Sequence, residues 1–207
     1  MKEISCILHY IKAYKSLSLF SSMVEKHFIQ PQELYLDSCR LAKKILDSDF
    51  RPTFIVALWR GGTPVGCAVQ EFLEYKGVRT NHISIRTSAY EGIEKASRQI
   101  RVHELSYLTR EANAEDKLLL VDDVFDSGRS LEAVIRDLRK KSRLNAPREI
   151  KIATVYYKPG NNKTELTPDF YLYSTDKWLV FPHELVNLSQ EEIVEHKGKE
   201  VAELLNK

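Results

Sequence analysis

Apolar and polar positions follow two rhythms along this chain. One is a short apolar run. Leu118–Val121 is four apolar residues in a row, too short and too uniform for a surface helix, and it predicts a strand buried on both faces of a parallel sheet. Phe54–Leu58 is a second such run. Ile150–Tyr157, rich in β-branched and aromatic residues, is a third, and Pro168–Tyr173 a further strand. Arg79–Arg86 alternates loosely and ends as a strand in Ile83, Ser84, Ile85 and Arg86. The other rhythm is helical. Pro31–Ser48 carries Leu34, Leu41, Ala42 and Ile45 near one face, with Pro31 in the first turn. Pro64–Lys76 reads as a helix with Thr63 as N-cap, stopped by Gly77. Leu131, Val134, Ile135 and Leu138 make a third apolar face, after which Pro147 marks a break. Ser189 and Glu192 form a capping-box pattern for a last helix, which Gly198 would interrupt. Strands alternating with helices predict an α/β domain.

Composition narrows the class. The 207 residues suffice for one α/β domain with a sizeable core. Apolar residues make up 43% and charged residues 29%, as in soluble globular proteins. Lys plus Arg number 31 against 29 acids, a net charge of +2, which makes no case for a nucleic-acid or acidic-membrane surface. The three cysteines, Cys6, Cys39 and Cys67, are odd in number and far apart. They suit neither a zinc site nor a disulfide framework, and a cytoplasmic location is expected. No apolar run is long enough to span a membrane. Residues 1–22 mix Ile7, Leu8, Ile11, Leu17, Leu19 and Phe20 with lysines, without the continuous apolar stretch and small-residue cleavage site of a signal peptide. They read as an N-terminal extension, with Met23 an alternative start.

The chemistry gathers after Val121. Asp122 and Asp123 follow the apolar run directly, then Asp126, then Ser127, Gly128, Arg129 and Ser130 before a helix. Small residues opening a helix present free backbone N–H groups and the positive end of its dipole, which suits a phosphate. Asp122 and Asp123 cannot bind phosphate directly; they suit sugar hydroxyls, or a metal reached through water. Phosphate, hydroxyls and metal together describe a phosphorylated sugar. A solvated acidic turn and a phosphoacceptor aspartate pair are the other readings of these acids, and neither needs the Ser-Gly-Arg-Ser that follows. A second strand end, Trp59-Arg60-Gly61-Gly62, offers a tight turn and the donor fork of an arginine.

The stretch Val121-Asp122-Asp123-Val124-Phe125-Asp126-Ser127-Gly128-Arg129-Ser130 resembles the phosphoribosyl-pyrophosphate (PRPP) signature of the type I phosphoribosyltransferases. The resemblance covers residues of about 30 to 185. It implies an α/β, type I phosphoribosyltransferase fold: a central, mainly parallel sheet flanked by helices, with a small base-binding hood. Residues 1–22 would be the extension and 23–207 a single domain.

Several segments carry the likeness further, toward the 6-oxopurine branch. Arg60 and Gly61 resemble its pyrophosphate loop, in which an unusual cis peptide would join these two residues. Lys158, at the end of Ile150–Tyr157, resembles the lysine that binds the purine 6-oxo group. Trp178 and Leu179 resemble the residues that stack on the base and offer backbone to its edge. Glu184 falls at the acid linked to the metal. The chain departs from the branch at Val180, where a carboxylate is usual, and at His183, usually aromatic. Ser88 and Tyr90, within the long polar connection of residues 87–101, resemble a mobile loop that closes over the reaction centre.

By this resemblance PRPP would be bound by Arg60, Gly61, Asp122, Asp123, Asp126, Ser127, Gly128, Arg129 and Ser130, and the base by Lys158, Trp178 and Leu179. Asp126 and Lys158 would be catalytic. Mg²⁺ would be the cofactor, near Asp122, Asp123 and Glu184. The implied activity is transfer of phosphoribose from PRPP to hypoxanthine, guanine or xanthine, in a homodimer or homotetramer. A phosphoribosyltransferase for another base, or a PRPP-sensing regulator on the same fold, are the alternatives.

Overall fold

The computed structural model describes residues 25–91 and 98–206; the expectations for residues 1–22 and for Met23 lie outside them. Elements follow in the order β1 (Lys26–Phe28), α1 (Pro31–Asp47), β2 (Phe54–Trp59), α2 (Gly62–Tyr75), β3 (Asn81–Glu91), β4 (Arg98–Val102), α3 (Leu105–Glu111), β5 (Lys117–Phe125), α4 (Arg129–Ser142), β6 (Glu149–Tyr157), β7 (Phe170–Ser174), β8 (Trp178–Val180), α5 (Gln190–His196) and α6 (Lys199–Leu205). Six strands form one sheet in the order β4-β3-β2-β5-β6-β7. All its pairings are parallel except β3 with β4.

The apolar runs are buried on both faces because successive side chains point opposite ways. Ile55, Leu119 and Val121 join one core with Leu41 and Ile45 of α1 and Val65, Val69 and Leu73 of α2. Val56, Leu118 and Leu120 join the other with Leu105 of α3 and Leu131, Val134 and Leu138 of α4. The order of strands creates a switch point. After β2 the chain crosses over through α2 toward β3; after β5 it crosses through α4 the opposite way, toward β6. Parallel crossovers take one hand, so the two helices lie on opposite faces and the ends of β2 and β5 part. A crevice opens at such a point in an α/β sheet.

A second, two-stranded parallel sheet pairs β1 with β8 and forms a small hood with α5 and α6. Phe28 of β1 stacks on His196 of α5 at 3.7 Å, and Lys26 pairs with Glu192 at 2.6 Å. Behind the hood, buried Asp37 of α1 accepts from Arg40 (2.7 Å) and from the Tyr173 hydroxyl of β7 (3.0 Å). The capping box at Ser189 is formed, and Gly198, at φ 99°, separates α5 from α6 as expected.

Four expectations are corrected. Asp122 and Asp123 do not begin a loop: β5 runs through them to Phe125, because β6 pairs with it as far as Tyr157. Helix α2 is capped by Gly61 rather than Thr63; it starts at Gly62, with Pro64 third in it. The connection of residues 87–101 is largely strand: β3 continues to Glu91 and pairs antiparallel with β4, placing Thr87 opposite Val102 and Ser88 opposite Arg101. Gly92 and Ser97 lie outside the described residues. The cis peptide joins Trp59 to Arg60, one bond before the expected position, and Gly61, with helical φ and ψ (−63°, −38°), leads straight into α2.

Candidate active site

The crevice holds a cavity of about 530 Å³. Arg60 and Gly61 wall it from the end of β2; Asp122, Asp123 and Asp126 come from β5 and its turn. Lys158 enters from β6, and Trp178, Leu179 and Glu184 from β8 and the segment after it. Residues from four regions up to 124 positions apart in sequence (60 to 184) thus face one space. Trp178 is 56% exposed, so it is not a core aromatic; its ring is available on the cavity wall.

Close packing fixes the acidic wall. Asp123 Oδ1 accepts from the Val124 N–H (2.8 Å), and Asp122 Oδ1 from the Asp123 N–H (3.0 Å). A Cβ on Gly61 would collide with the Asp123 carboxylate, and one on Gly62 with the Val121 carbonyl. Only glycine lets this loop lie so near β5.

The turn after β5 is pinned from two sides. Gly128 turns at φ 75°, where other residues are strained, and α4 begins at Arg129. The Ser127 carbonyl accepts from the Lys163 N–H (3.0 Å), and the Phe125 carbonyl from the Lys158 N–H (2.9 Å). Ser127, Gly128, Arg129 and Ser130 do not line the cavity; they form the turn that leaves it. Thr87, which does line it, donates to the Ser130 hydroxyl at 3.3 Å. Ser88 points elsewhere, to His103 Nε2 at 2.9 Å, and the Tyr90 side chain lies outside the described residues.

Burial and the adjacent Asp123 charge push the Asp122 carboxyl well above the usual carboxylate range. The folded chain therefore holds the proton on Asp122 more tightly than the unfolded chain. That penalty on the ionised form is absent below about pH 4, grows as pH rises, and is complete above the folded-state value. Asp122→Asn is expected to raise the melting temperature of the ligand-free, metal-free protein at pH 8, with the gain vanishing near pH 4. Parallel thermal melts at the two pH values check this; an Asn variant less stable than the parent at pH 8 contradicts it.

The three acids taken as metal ligands do not assemble. Among the described residues no group of three His, Cys, Asp or Glu is placed to hold a metal. Glu184 lines the cavity while its Oε2 accepts from the Phe181 N–H of its own loop at 2.9 Å. Asp122 and Asp123 remain, two hard oxygen donors on one cavity wall. Such a pair fits Mg²⁺, which keeps several waters and is commonly held by one or two carboxylates plus substrate phosphates rather than by a protein cage.

A family model, the phosphoribosyl transferase domain, matches residues 29–186. The chain belongs to this family. A purine phosphoribosyltransferase from Pyrococcus horikoshii is similar at 25% identity and a TM-score of 0.64, over 79% of this chain and 97% of that one. A hypothetical protein from Neisseria gonorrhoeae with bound ppGpp superimposes at a TM-score of 0.69 and 18% identity, over 84% and 97%. The Helicobacter pylori xanthine-guanine-hypoxanthine phosphoribosyltransferase does so at 0.57 and 19%, over 89% and 99%. The last two establish likeness of fold alone. No curated protein matches the sequence.

The phosphoribosyltransferase cavity also contains residues that sequence reasoning did not place in it: Trp59, Thr87, Asn161, Phe181 and His183. His183 carried a signal, as a departure from the 6-oxopurine pattern. Thr87 and Asn161 carried none, because each reaches the cavity only through the pairing or turn of its own strand.

Proposed function

We propose that this phosphoribosyltransferase moves the 5-phosphoribosyl group of PRPP to a 6-oxopurine base, hypoxanthine, guanine or xanthine, with release of pyrophosphate. The observation that carries this reading is the meeting, in one cavity, of the Arg60–Gly61 loop, the acidic end of β5, Lys158 and an exposed Trp178. The turn of residues 126–130 would hold the 5′-phosphate at the N-terminus of α4. Arg60 would face the pyrophosphate with its donor fork. Trp178 would stack on the base, an interaction worth about 1–3 kcal/mol, and Leu179 would offer its backbone to the purine edge.

In the reaction the bond from the anomeric carbon to the pyrophosphate oxygen breaks, its electron pair leaving with pyrophosphate. A bond from a purine nitrogen to that carbon forms. The anomeric carbon is cation-like between these events, so Asp122 and Asp123 act by holding the ribose hydroxyls and placing negative charge nearby. Asp126 takes the proton that the purine loses. The Lys158 ammonium stabilises negative charge on the 6-oxo group. Mg²⁺, held by Asp122 and Asp123 together with the substrate, would neutralise charge on the departing pyrophosphate. A cytoplasmic location and a dimeric or tetrameric assembly accompany this reading.

The test is an assay with PRPP and Mg²⁺ against hypoxanthine, guanine, xanthine, adenine, orotate and uracil in parallel. Nucleotide and pyrophosphate are expected from at least one 6-oxopurine and from neither orotate nor uracil. PRPP bound without product from any base would replace the enzyme by a PRPP sensor. Within the same assay Lys158→Ala is expected to raise the KM of the purine about tenfold while the KM of PRPP moves little. An unchanged purine KM would remove Lys158 from base recognition.

A further inference from the structure

His183 spans the two ends of the cavity. It belongs to the segment that carries Trp178, yet its Nε2 lies 3.5 Å from Asp123 Oδ2 on β5. The ring is backed by core. It stacks on Phe181 with centroids 5.7 Å apart and planes 14° apart, and Phe181 is itself buried against Tyr156 of β6. The segment is held further by Lys197, whose ammonium donates to the Phe181 carbonyl at 2.6 Å.

The two ring nitrogens face different surroundings. Nδ1 is buried with no partner among the described residues, whereas Nε2 faces a carboxylate. A neutral imidazole therefore carries its proton on Nε2, where an acceptor stands. Asp123 is confined on its other sides as well. Gly61 leaves no room for a Cβ against its carboxylate, and Oδ1 accepts from the Val124 N–H. Oδ2 is the oxygen without a hydrogen bond of its own among the described residues, and His183 is the polar side chain beside it.

We propose that His183 is a positioning residue that couples the two substrates: its Nε2–H orients Asp123 for the sugar hydroxyls, and because the ring rides on the Trp178 segment, seating a base sets that orientation. The inference rests on the PRPP reading above. A phenylalanine at this position would keep the stack on Phe181 but supply no donor to Asp123. The 3.5 Å separation shortens to hydrogen-bond distance when substrate draws the two walls together, as polar contacts in empty active sites commonly do.

The test is PRPP affinity by calorimetry for the parent, His183→Phe, Asp123→Asn and the double variant. Phe preserves ring volume and stacking. It is expected to weaken PRPP about three- to tenfold in the parent and to have no further effect once Asp123 is Asn. His183→Gln, which can place an amide N–H near the Nε2 position, is expected to recover at least half of the lost affinity and serves if Phe does not fold. The same loss in both backgrounds, no loss in the parent, or a Gln variant as weak as Phe would overturn the proposal. A parent that fails to bind PRPP at all removes the proposed function and this inference with it; a parent that binds while the variants match it removes this inference alone.

Discussion

Asp126→Asn is expected to lower turnover about 10²–10⁴-fold, the typical worth of a positioned general base. PRPP affinity should stay within about twofold of the parent, since the effect belongs to the transition state rather than to ground-state binding. The geometry favours this separation. Asp126 follows the last residue of β5, is exposed, and lines the cavity without a side-chain partner among the described residues. Asn has the same shape and leaves the turn of Ser127 and Gly128 undisturbed, but it cannot take a proton. Single-turnover kinetics with PRPP titration would separate the two parameters. An equal loss of turnover and PRPP affinity would make Asp126 a ligand of the sugar phosphate instead.

Gly62→Ala is expected to destabilise the fold by about 3 kcal/mol, the upper end of ordinary overpacking. The added methyl would meet the Val121 carbonyl and the Asp122 Cα at 2.9 Å, both backbone atoms of β5. That strand is buried in the middle of the sheet and cannot yield, so α2 must shift away from it. Gly61→Ala makes an instructive contrast. Its methyl would meet the Asp123 carboxylate, a side chain rather than strand backbone. The Gly61 variant should keep most of its stability and lose PRPP affinity, because it turns the carboxylate out of place. Denaturant titration and PRPP calorimetry on both variants would check the contrast. Equal stability losses would show that the loop, and not β5, absorbs the strain.

Local pattern carried a large part of the fold. α1 buries the four apolar residues that its spacing selects, β2, β6 and β7 form within one or two residues of the predicted runs, and β5 starts one residue before its run but continues four residues past it. Elements of this kind depend on side-chain periodicity, which sequence displays directly. β1 was not legible. It is three residues long and exists only because β8, about 150 residues later, pairs with it. The same holds for the far half of β3, a polar stretch that is strand because β4 lies beside it.

The candidate site divides the same way. The arrangement from Val121 to Ser130 could be read from sequence because it is local: strand, small residues and helix follow one another without a break. Lys158 and Trp178 were legible only through resemblance, since a lone cation or aromatic at a strand end has no meaning until its neighbours are known. The Phe181 N–H holds one oxygen of Glu184 to its own loop, a local contact that residue spacing does not show.

By itself, then, the sequence determined which segments bury a face, where the acidic and small residues stand, and that they sit between a strand and a helix. These follow from side-chain chemistry and backbone propensity over a few residues. Tertiary structure alone decided that the ends of β2, β5, β6 and β8 open on one cavity, that Gly61 lies against Asp123, and that His183 reaches the same carboxylate. The last two contacts join residues about 60 positions apart, and their distances depend on strand order and twist, which no short stretch of chain encodes.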